Sequence, residues 1–118
     1  MGRLTTHVLD TARGCPAAGM AYVLHAIGTD GTRREICRGL TNHDGRASAP
    51  LLEGASLTAG TYELSFEVAA YFAAAGVEQS EPPFLGSVPL RFGVADTAAH
   101  YHVPLLVSPW SYSTYRGS

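Results

Sequence analysis

The stretch Thr61–Glu67 alternates without a break: Tyr62, Leu64 and Phe66 are apolar, while Glu63, Ser65 and Glu67 are polar. A period of two sends successive side chains to opposite faces of an extended chain, so this is a strand with one face buried and one wet. Other segments share its character. Thr5–Leu9 is β-branched and stops at Asp10. Met20–Ile27 and Thr32–Leu40 flank the hairpin connection Gly28–Gly31. A further short strand is expected after Arg46, which follows the Asn42–Gly45 turn signal. Leu85–Val94 reads as a strand whose Pro89 argues for an edge position. Ala99–Val107 and Trp110–Tyr115 are strands joined at Ser108–Pro109. Arg13–Ala17, Thr58–Gly60 and Glu81–Pro83 are turns or loops by their Gly and Pro content. Val68–Ala75 is alanine-rich and stops at Gly76, which predicts one short helix. About seven or eight short strands and a single helix make a β-sandwich, with residues 1–118 as one domain.

Composition narrows the function. A 118-residue chain of 12.5 kDa folds to roughly 6,200 Å² of surface from about 18,000 Å² unfolded, so a real core forms without disulfide staples. Little interior is left to enclose a large pocket. All eight basic residues are arginine. The lack of lysine excludes a Schiff-base lysine, a phosphate-loop lysine and any lysine nucleophile. A net charge of −2 argues against nucleic acid as a partner. The opening MGRLTTHVLD holds no apolar stretch of signal-peptide length, and no run reaches membrane-spanning length. Gly2 with Thr6 fits the loose myristoylation pattern that many unmodified chains share. Cys15 and Cys37 have no zinc-type spacing and read as free thiols of a reducing compartment, with a single disulfide in an exported protein as the alternative. A cytoplasmic protein that does not bind membranes is the expectation.

No local catalytic motif is present: no GxSxG, no HExxH, no glycine-rich phosphate loop. His7 lies inside the first strand, and His100 and His102 share one face of another. Taken singly, each reads as an ordinary surface or hydrogen-bonded histidine. The pair at i and i+2 suits a metal, but no carboxylate stands beside it to complete a site, so no metal is assigned. Arg46 alone reads as a solvated charge. The closing Ser111–Ser118 run is rich in hydroxyls that can serve a small polar ligand.

Two segments carry a resemblance. Leu4–Asp10 followed by Arg13–Ala17 resembles the opening of the transthyretin-like proteins. His102–Ser118, through Val103-Pro104-Leu105-Leu106 to the terminal Tyr-Arg-Gly-Ser, resembles the family's second signature. That terminal tag marks the 5-hydroxyisourate hydrolase branch rather than the hormone-carrier branch. The resemblance runs from Leu4 to Ser118 and departs at Trp110, where tyrosine is expected. It implies a sandwich of two four-stranded sheets with one short helix, assembled as a homotetramer, a dimer of dimers, with sites in a channel between copies. It also implies His7, Arg46, His102 and Ser118 as catalytic residues. His7, Arg46, Tyr115 and Ser118 are implied to bind the substrate, with Tyr115 narrowing the channel. Arg46 rests on turn position alone, and His100 is not carried over.

The implied reaction hydrolyses 5-hydroxyisourate to 2-oxo-4-hydroxy-4-carboxy-5-ureidoimidazoline in urate degradation. It needs an activated water, a stabilised oxyanion and a proton for the leaving nitrogen. Histidine titrates near neutrality and can take the water's proton. Arginine offers a permanently charged fork of donors to carbonyl oxygens. No metal or organic cofactor is required. Two rivals remain at this point: a small-ligand carrier using the same channel, and a histidine metal-binding module. The carrier predicts apolar or small residues where His7, His102 and Tyr115 stand.

Overall fold

A computed structural model describes residues 2–117. Among them the chain forms β1 (Arg3–Asp10), β2 (Cys15–Pro16), β3 (Ala21–Ile27), β4 (Arg33–Leu40), β5 (Leu52–Glu53), a 3₁₀ turn at Gly54–Ser56, β6 (Gly60–Glu67), α1 (Val68–Ala74), β7 (Ser87–Val94), β8 (His100–Val107) and β9 (Tyr112–Ser113). One sheet runs β2-β1-β8-β9, with β5 also paired to β1; the other runs β4-β3-β6-β7. The two sheets enclose a core whose largest buried side chains include Phe66, Phe72, Leu4, Met20, Leu24, Leu64 and Leu105.

The all-β sandwich with one short helix is the fold expected. Tyr62, Leu64 and Phe66 face the core, as their alternation dictates. Pro89 lies on β7, the last strand of its sheet, where its missing N–H interrupts no central ladder. Three local expectations change. The first sheet has five strands among the described residues, because two residues of the Arg13–Ala17 loop pair with β1 as β2. The strand expected directly after Arg46 is a single bridge to His7, and regular pairing resumes only at β5. The Trp110–Tyr115 strand shrinks to β9, since Ser108 Oγ accepts from the N–H groups of Trp110 and Ser111 and curls that end into a turn.

Helix α1 presents Val68, Tyr71 and Phe72 to the core. Gly76, at φ +79°, follows it in the left-handed conformation that ends helices. Tyr71 also ties the helix to β1. The fully buried Asp10 side chain accepts from Tyr71 OH at 2.8 Å, from Arg13 Nε at 2.9 Å and from the backbone N–H groups of Ala12 and Arg13. Burial alone would push the Asp10 carboxyl up, but these bonds from Arg13 and Tyr71 outweigh it and hold the carboxyl below its ordinary range. Cys15 and Cys37 are both free thiols, and burial followed by the nearby Glu35 charge pushes the Cys37 thiol up. No helix among the described residues is long and apolar enough to cross a membrane.

Candidate active site

On β1 the burial pattern puts Leu4, Thr6 and Val8 inside and Arg3, Thr5 and His7 outside. On β8 it puts Tyr101 and Val103 inside and His100 and His102 outside. The two strands are parallel neighbours, with Arg3 opposite His100, Thr5 opposite His102 and His7 opposite Pro104. Residues nearly a hundred positions apart thus share one outer face.

Arg46 arrives from a turn built for the purpose. Asn42 Oδ1 accepts from the N–H groups of Asp44 and Arg46, and the Asn42 carbonyl accepts from Gly45 N–H. Gly45 has φ +76°, and a Cβ there would lie 2.4 Å from the Val8 carbonyl oxygen. Only glycine lets the turn dock on β1, where the Gly45 carbonyl accepts from Val8 N–H. The bridge between His7 and Arg46 follows directly. The turn also sets the imidazole of His7, whose Nε2 lies 2.8 Å from the Asp44 carbonyl oxygen. A carbonyl only accepts, so Nε2 carries the hydrogen and, in the neutral ring, Nδ1 is the bare nitrogen.

The chain's end returns to the same place. Gly117 N–H donates to the His102 carbonyl, forming an isolated bridge. A Cβ on Gly117 would lie 2.8 Å from His102 Cδ2, so glycine is what allows this close approach to the ring. Between β1, β8 and the Arg46 segment lies an open basin of about 520 Å³, lined on its polar side by Arg3, Thr5, Arg46, His100 and His102. His7 is not part of its lining and is joined to it through the backbone bridge to Arg46. Burial, and then the positive charge or nearness of Arg46, His7 and His100, hold the His102 imidazole below its ordinary pKa. It is therefore neutral at pH 7 and able to accept a proton.

The structure thus brings together three of the expected residues, His7, Arg46 and His102. It places Tyr115 elsewhere within the single chain: exposed, in a separate cleft lined also by Phe92, Tyr101 and Tyr112, which shares no lining residue with the basin. Ser118 lies outside the described residues. Thr5, a basin residue that sequence reasoning passed over, has its Oγ1 2.8 Å from His102 Nδ1 and 3.0 Å from His100 Nε2. The available signal was its shared parity with His7, but the partner across the sheet was not visible. Among the described residues no group of three or more His, Cys, Asp or Glu is arranged to hold a metal ion.

Residues 4–117 match the model of the HIUase/Transthyretin family. A 5-hydroxyisourate hydrolase of Ralstonia nicotianae is 64% identical over 118 residues, covering 100% of both chains. The crystal structure of an (S)-allantoin synthase superposes with a TM-score of 0.94 at 50% identity; the match covers 99% of this chain and 44% of that one. The structure of Klebsiella pneumoniae 5-hydroxyisourate hydrolase superposes with a TM-score of 0.81 at 36% identity, covering 100% of each.

Proposed function

The chain belongs to the HIUase/Transthyretin family, and we propose a division of labour among its basin residues for the hydrolysis of 5-hydroxyisourate. The activity is that of a hydrolase of urate breakdown, in which water opens the six-membered ring at an amide-type carbonyl. The observation that supports this reading is that Arg46 and His102 line one basin, His7 is bridged to Arg46, and the His102 imidazole is held below its ordinary pKa.

His102 takes the proton from the attacking water as the new C–O bond forms. Arg46 donates to the substrate's carbonyl oxygens, neutralising the charge that grows there. His7, anchored at Nε2 by the Asp44 carbonyl, presents Nδ1 to orient the substrate from the opposite side. The proton taken by His102 then passes to the leaving nitrogen, so water is consumed and the nitrogen leaves neutral. Ser118, outside the described residues, is read as a further substrate contact through its hydroxyl. No metal or cofactor enters these steps. An apolar ligand would leave Arg46 and the imidazoles desolvated and unpaired, which favours hydrolysis over carriage.

The assembly that fits this reading is a homotetramer, a dimer of dimers, working in the cytoplasm. A single protomer leaves its basin open on an outer sheet face, and Trp110, Tyr112 and Tyr115 are exposed. Packing of copies would close the basin and place Tyr115 at the wall of a shared channel. Light scattering of the active protein tests the assembly, and a stable, fully active monomer overturns it. The activity is tested by ultraviolet decay of freshly generated 5-hydroxyisourate. A purified protein that does not accelerate the decay overturns the function, and a strong chelator should leave the rate unchanged.

A further inference from the structure

The Thr5 hydroxyl is placed unusually, because it touches two ring nitrogens at once: His102 Nδ1 at 2.8 Å and His100 Nε2 at 3.0 Å. A hydroxyl has one hydrogen to give and lone pairs to receive. It can donate to one imidazole only, and must receive from the other if both contacts are hydrogen bonds. The two rings are therefore locked into opposite roles. When Thr5 donates to His100 Nε2, His102 must donate from Nδ1, and its Nε2 is bare. When Thr5 donates to His102 Nδ1, neutral His102 carries its hydrogen on Nε2, and that nitrogen has no lone pair left to take the water's proton.

We propose that Thr5 and His100 are positioning residues that hold His102 in the tautomer with hydrogen on Nδ1 and a bare Nε2 facing the basin. The inference rests on the reading of His102 as the base. The geometry supports it from three directions. The register sets Thr5 directly opposite His102 on the neighbouring parallel strand, so the contact is built into the sheet. The two histidine rings lie 6.4 Å apart, too far to bond each other, and the hydroxyl fills the gap. Gly117 runs so close to the His102 ring that a Cβ there would lie 2.8 Å from Cδ2 and 3.2 Å from Cγ, which leaves the ring little free space at that edge.

A consequence concerns protons. While the water's proton sits on Nε2, the hydrogen on His102 Nδ1 can shift to Thr5 Oγ as the Thr5 hydrogen shifts to His100 Nε2. The positive charge then rests on His100, and every heavy atom keeps its valence. Reversal returns the hydrogens as His102 releases its Nε2 proton to the leaving nitrogen. If His100 is already protonated by acid, it must donate to Thr5, which turns the Thr5 hydrogen toward His102 and removes the bare Nε2. Arg3, opposite His100 on β1, and Arg46 and His102 line the same basin as His100.

The test uses the full-length protein in three variants: Thr5→Val, Thr5→Ser and His100→Ala. Valine keeps the shape of threonine without the hydroxyl, and thermal unfolding checks that the fold survives. Tautomers are read from nitrogen-15 NMR of the histidine rings above pH 7, alongside kcat and KM. The expected wild-type result is a His102 protonated on Nδ1. Thr5→Val and His100→Ala should lose that signature and lower kcat about 10–100-fold, with KM within about twofold, because a mis-set imidazole tautomer disables the base without removing the substrate's contacts. Thr5→Ser should restore both. A wild-type His102 protonated on Nε2, or full kcat in Thr5→Val, overturns the inference while leaving the hydrolase reading intact. That reading fails separately, if the wild-type protein does not hydrolyse 5-hydroxyisourate or if His102→Asn keeps its rate.

Discussion

The two outer faces of the sandwich are both polar, yet they are opposite in design. On the β4-β3-β6-β7 face the charges at the centre of the sheet and along β4 form ion pairs. Glu63, almost fully buried, takes Arg33 at 2.8 Å and Arg91 at 3.2 Å, from the strands on either side of its neighbourhood. Arg38 and Glu35 pair within β4. On the β1–β8 face Arg3, Arg46, His7, His100 and His102 gather, and among the described residues neither arginine has a carboxylate within ion-pair distance. A face that neutralises itself needs nothing more and serves the fold. A face that leaves its positive groups unmatched is incomplete until something electron-rich occupies it. The same residue types therefore have different functions, according to whether the sheet supplies their counter-charge.

Substitutions on the two faces should separate activity from stability. The largest effect is expected from His102→Asn, which removes the proton acceptor and should lower kcat about 10²–10⁴-fold, read from substrate decay. Arg46→Glu places a carboxylate in the unmatched face and should lower kcat/KM by about 10²–10³-fold, with the oligomeric state unchanged by light scattering. Turnover at the wild-type rate would remove Arg46 from the site. Glu63→Gln, on the matched face, should leave kcat and KM unchanged. It should cost about 1–3 kcal/mol of stability in urea unfolding, since two arginines lose their charged acceptor. Loss of activity in a folded Glu63→Gln would contradict the contrast between the faces.

The smallest effect is a titration. Burial and the neighbouring Arg46, His7 and His100 hold His102 below its ordinary value near 6.5. The acid limb of kcat, where the base becomes protonated and inactive, should accordingly fall below pH 6.5 rather than at or above it. Arg46→Met removes one of those charges and should move the His102 midpoint upward in an NMR titration. An unmoved midpoint would remove Arg46 from the groups that hold the imidazole down.

Much of this molecule was readable before folding. Thr61–Glu67 is β6 because alternation reports burial on a half-wet sheet, and Val68–Ala74 is helical because alanine favours it and Gly76 stops it. The two-residue strands β2, β5 and β9 were not, since a pair of residues has no period and is held by neighbours far along the chain. At the site, His7 and His102 stand in segments whose motifs stood out, and the Asn42–Gly45 turn announced itself by composition. Thr5 did not stand out, and His100 stood out only for sharing a face with His102. Each is unremarkable alone, and their meeting depends on a parallel pairing between positions 95 apart.

The amino-acid order by itself determined the longer strands, the helix and the face on which their side chains stand, because these depend on local sterics and on the period of the backbone. The pairing of β1 with β8, the docking of Gly45 beneath His7 and the return of Gly117 to His102 were decided only by the tertiary structure. Each joins segments distant along the chain, and no local preference specifies which segments meet. Local order put a threonine and two histidines on outer faces; the sheet register put one hydroxyl between two rings, and with it the choice of which nitrogen bears the proton.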